Sequence, residues 1–240
     1  MSTVYLIPCT IAENATSTVP IYILDAVKQC QVFFVENERT ARRYLKSLWK
    51  EMVIDDYEWV VIHKSEKEVK NKFLGILRNG KNIGIISEAG VPGVADPGQV
   101  LIAAAHSENF AVKPLVGPNS ILLALMAGGL NGQQFQFIGY LPIDNAEKTK
   151  VIKQLESESS KKNCTQLFIE TPYRNNSVLE TLTKTLQPGT LLSIAADLTA
   201  ETEYIATKKI SDWKTQLPDL HKRPVIFSFL AAPIALQGRE

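Results

Sequence analysis

Cysteine and histidine are scarce, and their scarcity excludes two ways of holding a chain together. Cys9, Cys30 and Cys164 are odd in number and far apart, and His63, His106 and His221 stand isolated. With no C-x-x-C pair and no Cys/His cluster, neither a disulfide framework nor a zinc site is expected, and the thiols read as buried or incidental. Net charge is nearly absent: 26 Lys and Arg against 25 Asp and Glu give +1. No global field draws such a chain to nucleic acid or to an anionic membrane, so any basic footprint has to be local. Long apolar runs are missing too. The longest candidate, Ser120 to Leu130, is too short for a bilayer, which needs about 20 residues. The opening MSTVYLIPCT has too short an apolar run and no basic stretch for a signal peptide, so a cytoplasmic location is expected.

What is present is ordinary globular material, 45% hydrophobic and 21% charged, in a chain of 240 residues. That length suits two compact domains of about 100–150 residues each, or one larger one. Val4–Ile7, Val32–Val35, Trp59–Ile62, Ile83–Ile86 and Val112–Val116 read as strands, rich in Val, Ile and aromatics. Helix-like stretches near 20–30, 39–50, 66–79 and 98–107 alternate with them, which predicts a mainly parallel sheet covered on both faces. Around Leu115-Val116-Gly117-Pro118-Asn119-Ser120 the chain turns sharply into a very apolar helix that Asn119 or Ser120 can cap. A boundary is placed there, giving domains 1–116 and 117–240. Afterwards Phe135–Gly139, Thr165–Glu170, Leu191–Ala195, Glu203–Thr207 and Val225–Leu230 read as strands, with helices near 146–157 and 174–186. Strands crowd toward the end with fewer helices between them, so the second sheet should be mixed.

Two groups of basic residues stand out. Arg39, Arg43, Lys46 and Lys50 recur at spacings of four, three and four, so a helix puts them on one face, with Ala41, Tyr44, Leu45 and Leu48 elsewhere. A solvated outer face and a phosphate-tracking stripe are both compatible with that spacing. Lys148, Lys150, Lys153, Lys161 and Lys162 form a second patch interrupted by glutamates, which reads as a solubilising surface.

The densest chemical signal is Ile83-Gly84-Ile85-Ile86-Ser87-Glu88-Ala89-Gly90-Val91-Pro92-Gly93-Val94-Ala95-Asp96-Pro97-Gly98. A buried strand runs into a glycine- and proline-rich loop that feeds a helix. Open α/β sheets bind ligands at the carboxyl ends of their strands, where this loop must lie. Glycine admits close backbone approach, proline fixes loop shape, and Asp96 can brace the loop or cap the next helix. The pattern is neither G-x-G-x-x-G nor a Walker loop. Composition alone leaves a rigid structural turn and a ligand loop equally open.

The residues from Ser87 to Gly98 resemble the cofactor loop of the tetrapyrrole methylase superfamily, and within it the bacterial small-subunit ribosomal RNA 2′-O-ribose cytidine methyltransferases. Further segments match in order: Val4-Tyr5-Leu6-Ile7-Pro8, Glu36-Asn37-Glu38-Arg39, Pro114-Leu115-Val116-Gly117-Pro118-Asn119-Ser120, Phe137-Ile138-Gly139-Tyr140-Leu141-Pro142 and Glu170-Thr171-Pro172-Tyr173-Arg174. The resemblance implies two α/β domains with S-adenosylmethionine in a cleft between them, held largely by backbone groups. It implies cofactor contacts at Pro8, Gly90, Val91 and Val94, and at Ser120, Ile121, Tyr140, Leu198 and Pro224. It brings Glu88, Glu170 and Arg174 to the acceptor side and makes Glu36 and Arg39 the candidates for catalysis. It further implies a homodimer, ribosomal RNA as acceptor, and no metal.

Several positions depart from that branch. Pro8-Cys9-Thr10-Ile11-Ala12-Glu13-Asn14 stands where the branch has Pro-Thr-Pro-Ile-Gly-Asn. Ala196-Asp197-Leu198-Thr199-Ala200 stands for Arg-Glu-Leu-Thr-Lys, and Arg223-Pro224 for Gly-Glu. The chain to Glu240 is also expected to lack the small extra domain of that branch. These changes fall on the acceptor side more than on the cofactor loop. A methylase of a small tetrapyrrole-type molecule and a non-catalytic cofactor-binding paralogue therefore stay open beside the RNA enzyme.

Overall fold

The computed structural model describes residues 2–62 and 66–231, with the backbone alone at 66–68. His63 lies outside the described residues. The chain divides into two compact units, Met1–Asn119 and Ser120–Glu240.

The first unit is built on five strands, β1 (Thr3–Ile7), β2 (Val32–Val35), β3 (Glu58–Val61), β4 (Ile83–Ile86) and β5 (Ala111–Pro114). They pair in the order β3-β2-β4-β1-β5, and every pairing is parallel. Strand β2 shows why the apolar runs are continuous rather than alternating. Phe33 and Val35 bury against α1 (Ile23–Val27) and α2 (Glu38–Leu48), while Val32 and Phe34 bury against α3 (Glu66–Arg78) and α4 (Gln99–Ser107). Both faces are covered, so no position on the strand is free to be polar. Each large side chain so buried contributes about 1.5–3 kcal/mol.

Two elements differ from expectation, for local reasons. Helix α1 is only five residues long, because the chain beyond it tightens into i→i−3 turns: Gln29 N–H donates to Ala26 O and Cys30 N–H to Val27 O. Strand β5 begins and ends earlier than Val112–Val116. Leu115 N–H still reaches Leu6 O, but Val116 N–H turns away to the Tyr22 hydroxyl oxygen at 2.7 Å.

The second unit contains α5 (Ser120–Gly128), β6 (Phe135–Tyr140), α6 (Asn145–Lys162), β7 (Thr165–Ile169), α7 (Asn175–Thr185), β8 (Leu191–Ala196), β9 (Tyr204–Lys209), α8 (Ile210–Trp213) and β10 (Val225–Leu230). Its sheet runs β6-β7-β10-β8-β9 and is mixed: β6 and β7 are parallel, and β10 is antiparallel to both β7 and β8. Phe168, Phe227, Phe229, Leu192 and Ile194 face α6 and α7; Leu167, Ala195 and Ile226 face α5. Helix α8 leaves no periodic trace in four residues. Trp213 ends it, fully buried, with its indole N–H on Leu192 O at 2.9 Å.

One basic residue is misplaced by the sequence pattern. Lys148 is buried, on the same face of α6 as Ile152, Leu155 and Ser159, and so is not part of a solvated lysine patch. Its four-carbon stem supplies apolar cover at a position the helical period turns inward.

Candidate functional site

In the first unit the strands all point the same way, so the loops after β1, β2, β4 and β5 emerge at one end of the sheet. Three segments distant in sequence meet there. Cys9 N–H donates to Gly90 O at 2.7 Å, tying the loop after β1 to the Gly/Pro loop after β4. Gly117 lies so close to Pro8 that a Cβ on it would sit 2.1 Å from the proline Cβ. Gly90 has φ +71°, and a Cβ there would lie 3.5 Å from Pro118 O. At Gly117 glycine is required by space, at Gly90 by backbone conformation. Pro8 O in turn accepts the Tyr44 hydroxyl at 2.6 Å, which anchors α2 to the same edge.

Charge collects on this edge. One oxygen of Glu36, just past β2, accepts the Glu88 N–H at 3.0 Å and so braces the Gly/Pro loop. Asp96 is half-buried on that loop. Burial pushes its carboxyl up to about 6, the charges of Glu36 and Glu88 push the same way, and a hydrogen bond from Ser87 opposes them. Val94 is 47% exposed, whereas Pro8 and Gly90 are buried within the unit. Burial pushes the Cys9 thiol up to about 12, keeping it protonated and inert.

Beside the loop lies a cavity of about 330 Å³ that the residue pattern gave no warning of. Thr10 to Asn14 form one wall; Thr40, Arg43, Tyr44 and Ser47 of α2 form another, and Glu88 closes the side toward the Gly/Pro loop. Asn37 caps α2 by accepting Thr40 N–H at 3.2 Å, which sets the helix phase that puts Thr40, Arg43 and Ser47 on the cavity. Of the basic stripe, Arg39 and Arg43 are exposed and make no ion pair among the described residues. Lys46 is spent on the helix end, donating to Lys50 O and Met52 O, and Lys50 lies beyond the last turn. The four-residue stripe is thus two arginines.

In the second unit the assigned residues fall into three groups. Ile121 and Leu198 pack in one apolar cluster, Tyr140 is 60% exposed, and Ser120 opens α5. Pro224 O accepts Asp197 N–H at 2.9 Å. Glu170 and Arg174 meet each other: the buried Glu170 Oε1 accepts Arg174 Nη2 at 2.5 Å, Arg174 Nε at 3.0 Å and Thr171 N–H at 2.7 Å. Its other oxygen is buried without a partner. A second pair joins Arg223 Nε to Asp197 Oδ2 at 2.7 Å. Register places both pairs at the same end of the sheet, since β10 pairs Ile226 with Ile169 and Val225 with Ala196. Next to Asp197 the backbone is strained: Asp197 has φ 50° and Thr199 φ 70°. Each such residue costs on the order of 1–3 kcal/mol. A separate recess of about 450 Å³ along α6 includes Glu156, whose carboxylate is spent on Gln187 N–H and the Thr190 hydroxyl.

Among the described residues no group of three His, Cys, Asp or Glu is placed to hold a metal ion, and no helix is long and apolar enough to cross a membrane.

A parallel five-stranded sheet with a Gly/Pro loop at its carboxyl end, followed by a mixed five-stranded sheet, is the architecture of a two-sheet methylase, and the comparisons agree. The sequence profile of the tetrapyrrole (corrin/porphyrin) methylases matches residues 21–213, so the chain belongs to that family, whose members are methyltransferases that use S-adenosylmethionine. The solved structure of the methyltransferase CobJ superposes with a TM-score of 0.61 at 17% identity, covering 100% of this chain and 96% of that one. That of uroporphyrin-III-C-methyltransferase from Thermus thermophilus gives 0.56 at 16%, covering 95% and 92%. Both likenesses concern the fold. By sequence, the chain is 28% identical over 217 residues to a ribosomal RNA small subunit methyltransferase I from Micromonospora olivasterospora, covering 90% of this chain and 65% of that protein. The Helicobacter pylori protein of the same name is 30% identical over 227 residues, covering 89% and 76%. Against the protein of that name from Halalkalibacterium halodurans, 34% identity extends over 122 residues, or 50% of this chain and 41% of the relative. The chain thus spans between two fifths and two thirds of the length of the first of these relatives.

Proposed function

We propose that the chain transfers the methyl group of S-adenosylmethionine to a ribose hydroxyl of RNA, with small-subunit ribosomal RNA as the acceptor, acting as a cytoplasmic homodimer. The observation that carries this reading is the cavity adjoining the Gly/Pro loop, with Arg43 and several hydroxyls on its walls. The loop itself suits the cofactor, whose flat base and short amino-acid tail need shape and main-chain groups more than charged partners. Gly90, Val91 and Val94 with Pro8 supply apolar side chains and close-packed backbone. Ser120, Ile121, Tyr140, Leu198 and Pro224 are the contacts proposed from the second unit. When bound, S-adenosylmethionine supplies a methyl group already activated for displacement, so the residues of the chain are left with positioning and proton removal.

The cavity walls and the neighbouring residues Glu36 and Arg39, which do not line it, divide those tasks. Arg43, with Arg39 outside the rim, receives a phosphate, and the hydroxyls of Thr10, Thr16 and Thr40 offer further hydrogen bonds. Glu36 has one oxygen committed to the Glu88 amide, which fixes the carboxylate and leaves its second oxygen to take the ribose hydroxyl proton. Glu88 borders the same cavity, and Glu170 with Arg174 is the acceptor-side pair in the second unit. A tetrapyrrole macrocycle needs a broad apolar trough, and a cavity of about 330 Å³ whose walls carry Arg43, Glu13, Glu88 and the hydroxyls of Thr10, Thr16, Thr40 and Ser47 suits it poorly.

The test is methyl transfer from radiolabelled S-adenosylmethionine to small-subunit ribosomal RNA isolated from a strain lacking the gene. Labelled RNA supports the reading. Arg43→Ala should then weaken RNA binding several-fold and lower its salt dependence by about one counterion, while cofactor binding is unchanged. Cofactor binding with no transfer to any RNA offered points to the non-catalytic paralogue. Transfer to a porphyrin precursor alone overturns the choice of acceptor.

A further inference from the structure

Leu198 sits between two residues in the left-handed region, Asp197 at φ 50° and Thr199 at φ 70°. For a β-branched residue such as Thr199 that conformation persists only where the surroundings dictate it. Here they do so through a closed set of bonds. Asp197 N–H donates to Pro224 O at 2.9 Å, Ala200 N–H to Asp197 O at 3.0 Å, and Thr199 N–H to Glu203 Oε2 at 2.8 Å. Asp197 Oδ2 accepts the Thr202 hydroxyl at 2.9 Å and Arg223 Nε at 2.7 Å. Arg223 Nη2 continues to Thr202 O at 2.7 Å, and its guanidinium lies 5.9 Å from the Tyr204 ring centroid. Arg223 therefore grips the loop at both ends, at Asp197 where it leaves β8 and at Thr202 just before β9. Within that grip the Thr199 hydroxyl is buried and has no partner among the described residues. A loop that satisfied only itself would not leave it so.

We infer that Arg223 is a positioning residue for the cofactor. It acts through Asp197 to hold the strained turn whose backbone at Leu198, with the Thr199 hydroxyl beside it, meets the ligand, while the Leu198 side chain stays packed in the apolar cluster with Ile121. The inference rests on the reading of Leu198 as a cofactor contact. Val225, two residues past Arg223, pairs with Ala196, so the guanidinium reaches the end of β8 from the β10 side. The planar fork is what the geometry uses, since one group bonds Asp197 and Thr202 at once.

The test combines calorimetric titration of the full chain with S-adenosylhomocysteine, thermal unfolding, and amide NMR spectra with and without that ligand. The proteins are wild type, Arg223→Ala, Arg223→Lys and Trp213→Phe, the last a control that loosens the same unit away from the turn. Ligand addition should move the Leu198, Thr199 and Ala200 amides of the wild type. Arg223→Ala should weaken binding about tenfold, or 1.4 kcal/mol, beyond any loss in Trp213→Phe at a comparable fall in Tm. Arg223→Lys should recover part of that loss. Amides 198–200 that stay still, or a wild type that does not bind, overturn the reading of Leu198 and the inference with it. If those amides move but Arg223→Ala binds no worse than Trp213→Phe, the inference alone falls and Arg223 is a structural strap.

Discussion

The carboxyl-end edge of the first sheet and the corresponding end of the second are built from different materials. The first is made of main chain: Gly117 pressed on Pro8, Gly90 turned to positive φ, and a Cys9–Gly90 backbone bond closing one loop on another. The second is made of side-chain ion pairs, Arg174 on Glu170 and Arg223 on Asp197, bracing a strained turn. Backbone contacts tolerate few substitutions, because a Cβ collides at Gly117 and is strained by positive φ at Gly90. Side-chain pairs can be rebuilt from a neighbouring position with the same charges.

The largest effects should come from breaking the main-chain edge. In Gly117→Val the new side chain would have to occupy the space of Pro8, and no rotamer avoids a Cβ only 2.1 Å from another carbon. A loss of about 3 kcal/mol in urea unfolding is expected, together with loss of cofactor binding. Gly90→Val is the sharper probe, since a Cβ there meets Pro118 O at an ordinary 3.5 Å and only the positive φ is strained. It should cost about 1–2 kcal/mol and still fold, yet lose cofactor affinity, as should Val91→Asp. Full affinity in both would remove the Gly/Pro loop from the site.

Glu170→Gln tests the side-chain edge. It strips the charge from a carboxylate whose side chain is 1% exposed and which holds two Arg174 nitrogens and the Thr171 amide. A fully buried pair broken in this way costs about 3–5 kcal/mol. Arg174 is 32% exposed and can rehydrate, so about 2 kcal/mol is expected by chemical unfolding. A second change, Arg174→Met beside Glu170→Gln, should recover part of it. Were Glu170→Gln neutral, the two edges would not differ as described.

Much of this was legible in the residues. Strands β2, β4 and β10 are found at the expected residues because each is a short run dominated by Val, Ile, Leu and Phe. The Gly/Pro loop announced itself by composition. The cavity did not, since it depends on helix phase. Thr40, Arg43 and Ser47 share a face only once Asn37 fixes where α2 begins. Lys46 looked like a member of a binding stripe, but whether a lysine near a helix end bonds the last carbonyls or faces solvent is a tertiary fact. The Arg223–Asp197 pair was visible only as two unrelated departures, 26 positions apart, until the antiparallel register of β8 and β10 joined them.

A smaller effect distinguishes the first edge by pH. Asp96 is raised from 3.8 to about 6, chiefly by burial and then by the charge of Glu36. A carboxyl with a higher pKa folded than unfolded binds its proton more tightly in the folded chain, so its ionisation opposes folding. Stability from this source is greatest below pH 3.8 and declines as pH rises through about 6. Asp96→Asn should flatten that part of the profile and be more stable than wild type at pH 7, as read from unfolding midpoints across the range. A variant no more stable at pH 7 would mean that Asp96 is held charged by a partner on the loop.

The smallest expected effect reads the two units separately without altering either. Burial pushes the Cys9 and Cys30 thiols, both in the first unit, up to about 12, so almost no thiolate exists at pH 8 and neither sulfur is accessible. Cys164, in the second unit, is only partly buried. Under native conditions iodoacetamide should therefore label Cys164 first, and Cys9 and Cys30 only as the first unit opens. With the labelled sites mapped by mass spectrometry, the lag between Cys164 and the other two becomes a clock for opening of the main-chain edge. Gly117→Val should shorten that lag, whereas Glu170→Gln should leave it unchanged while lowering the stability of its own unit. Equal shortening by both variants would show that the two edges unfold together, and the contrast between them would then concern how they are built and not how they hold.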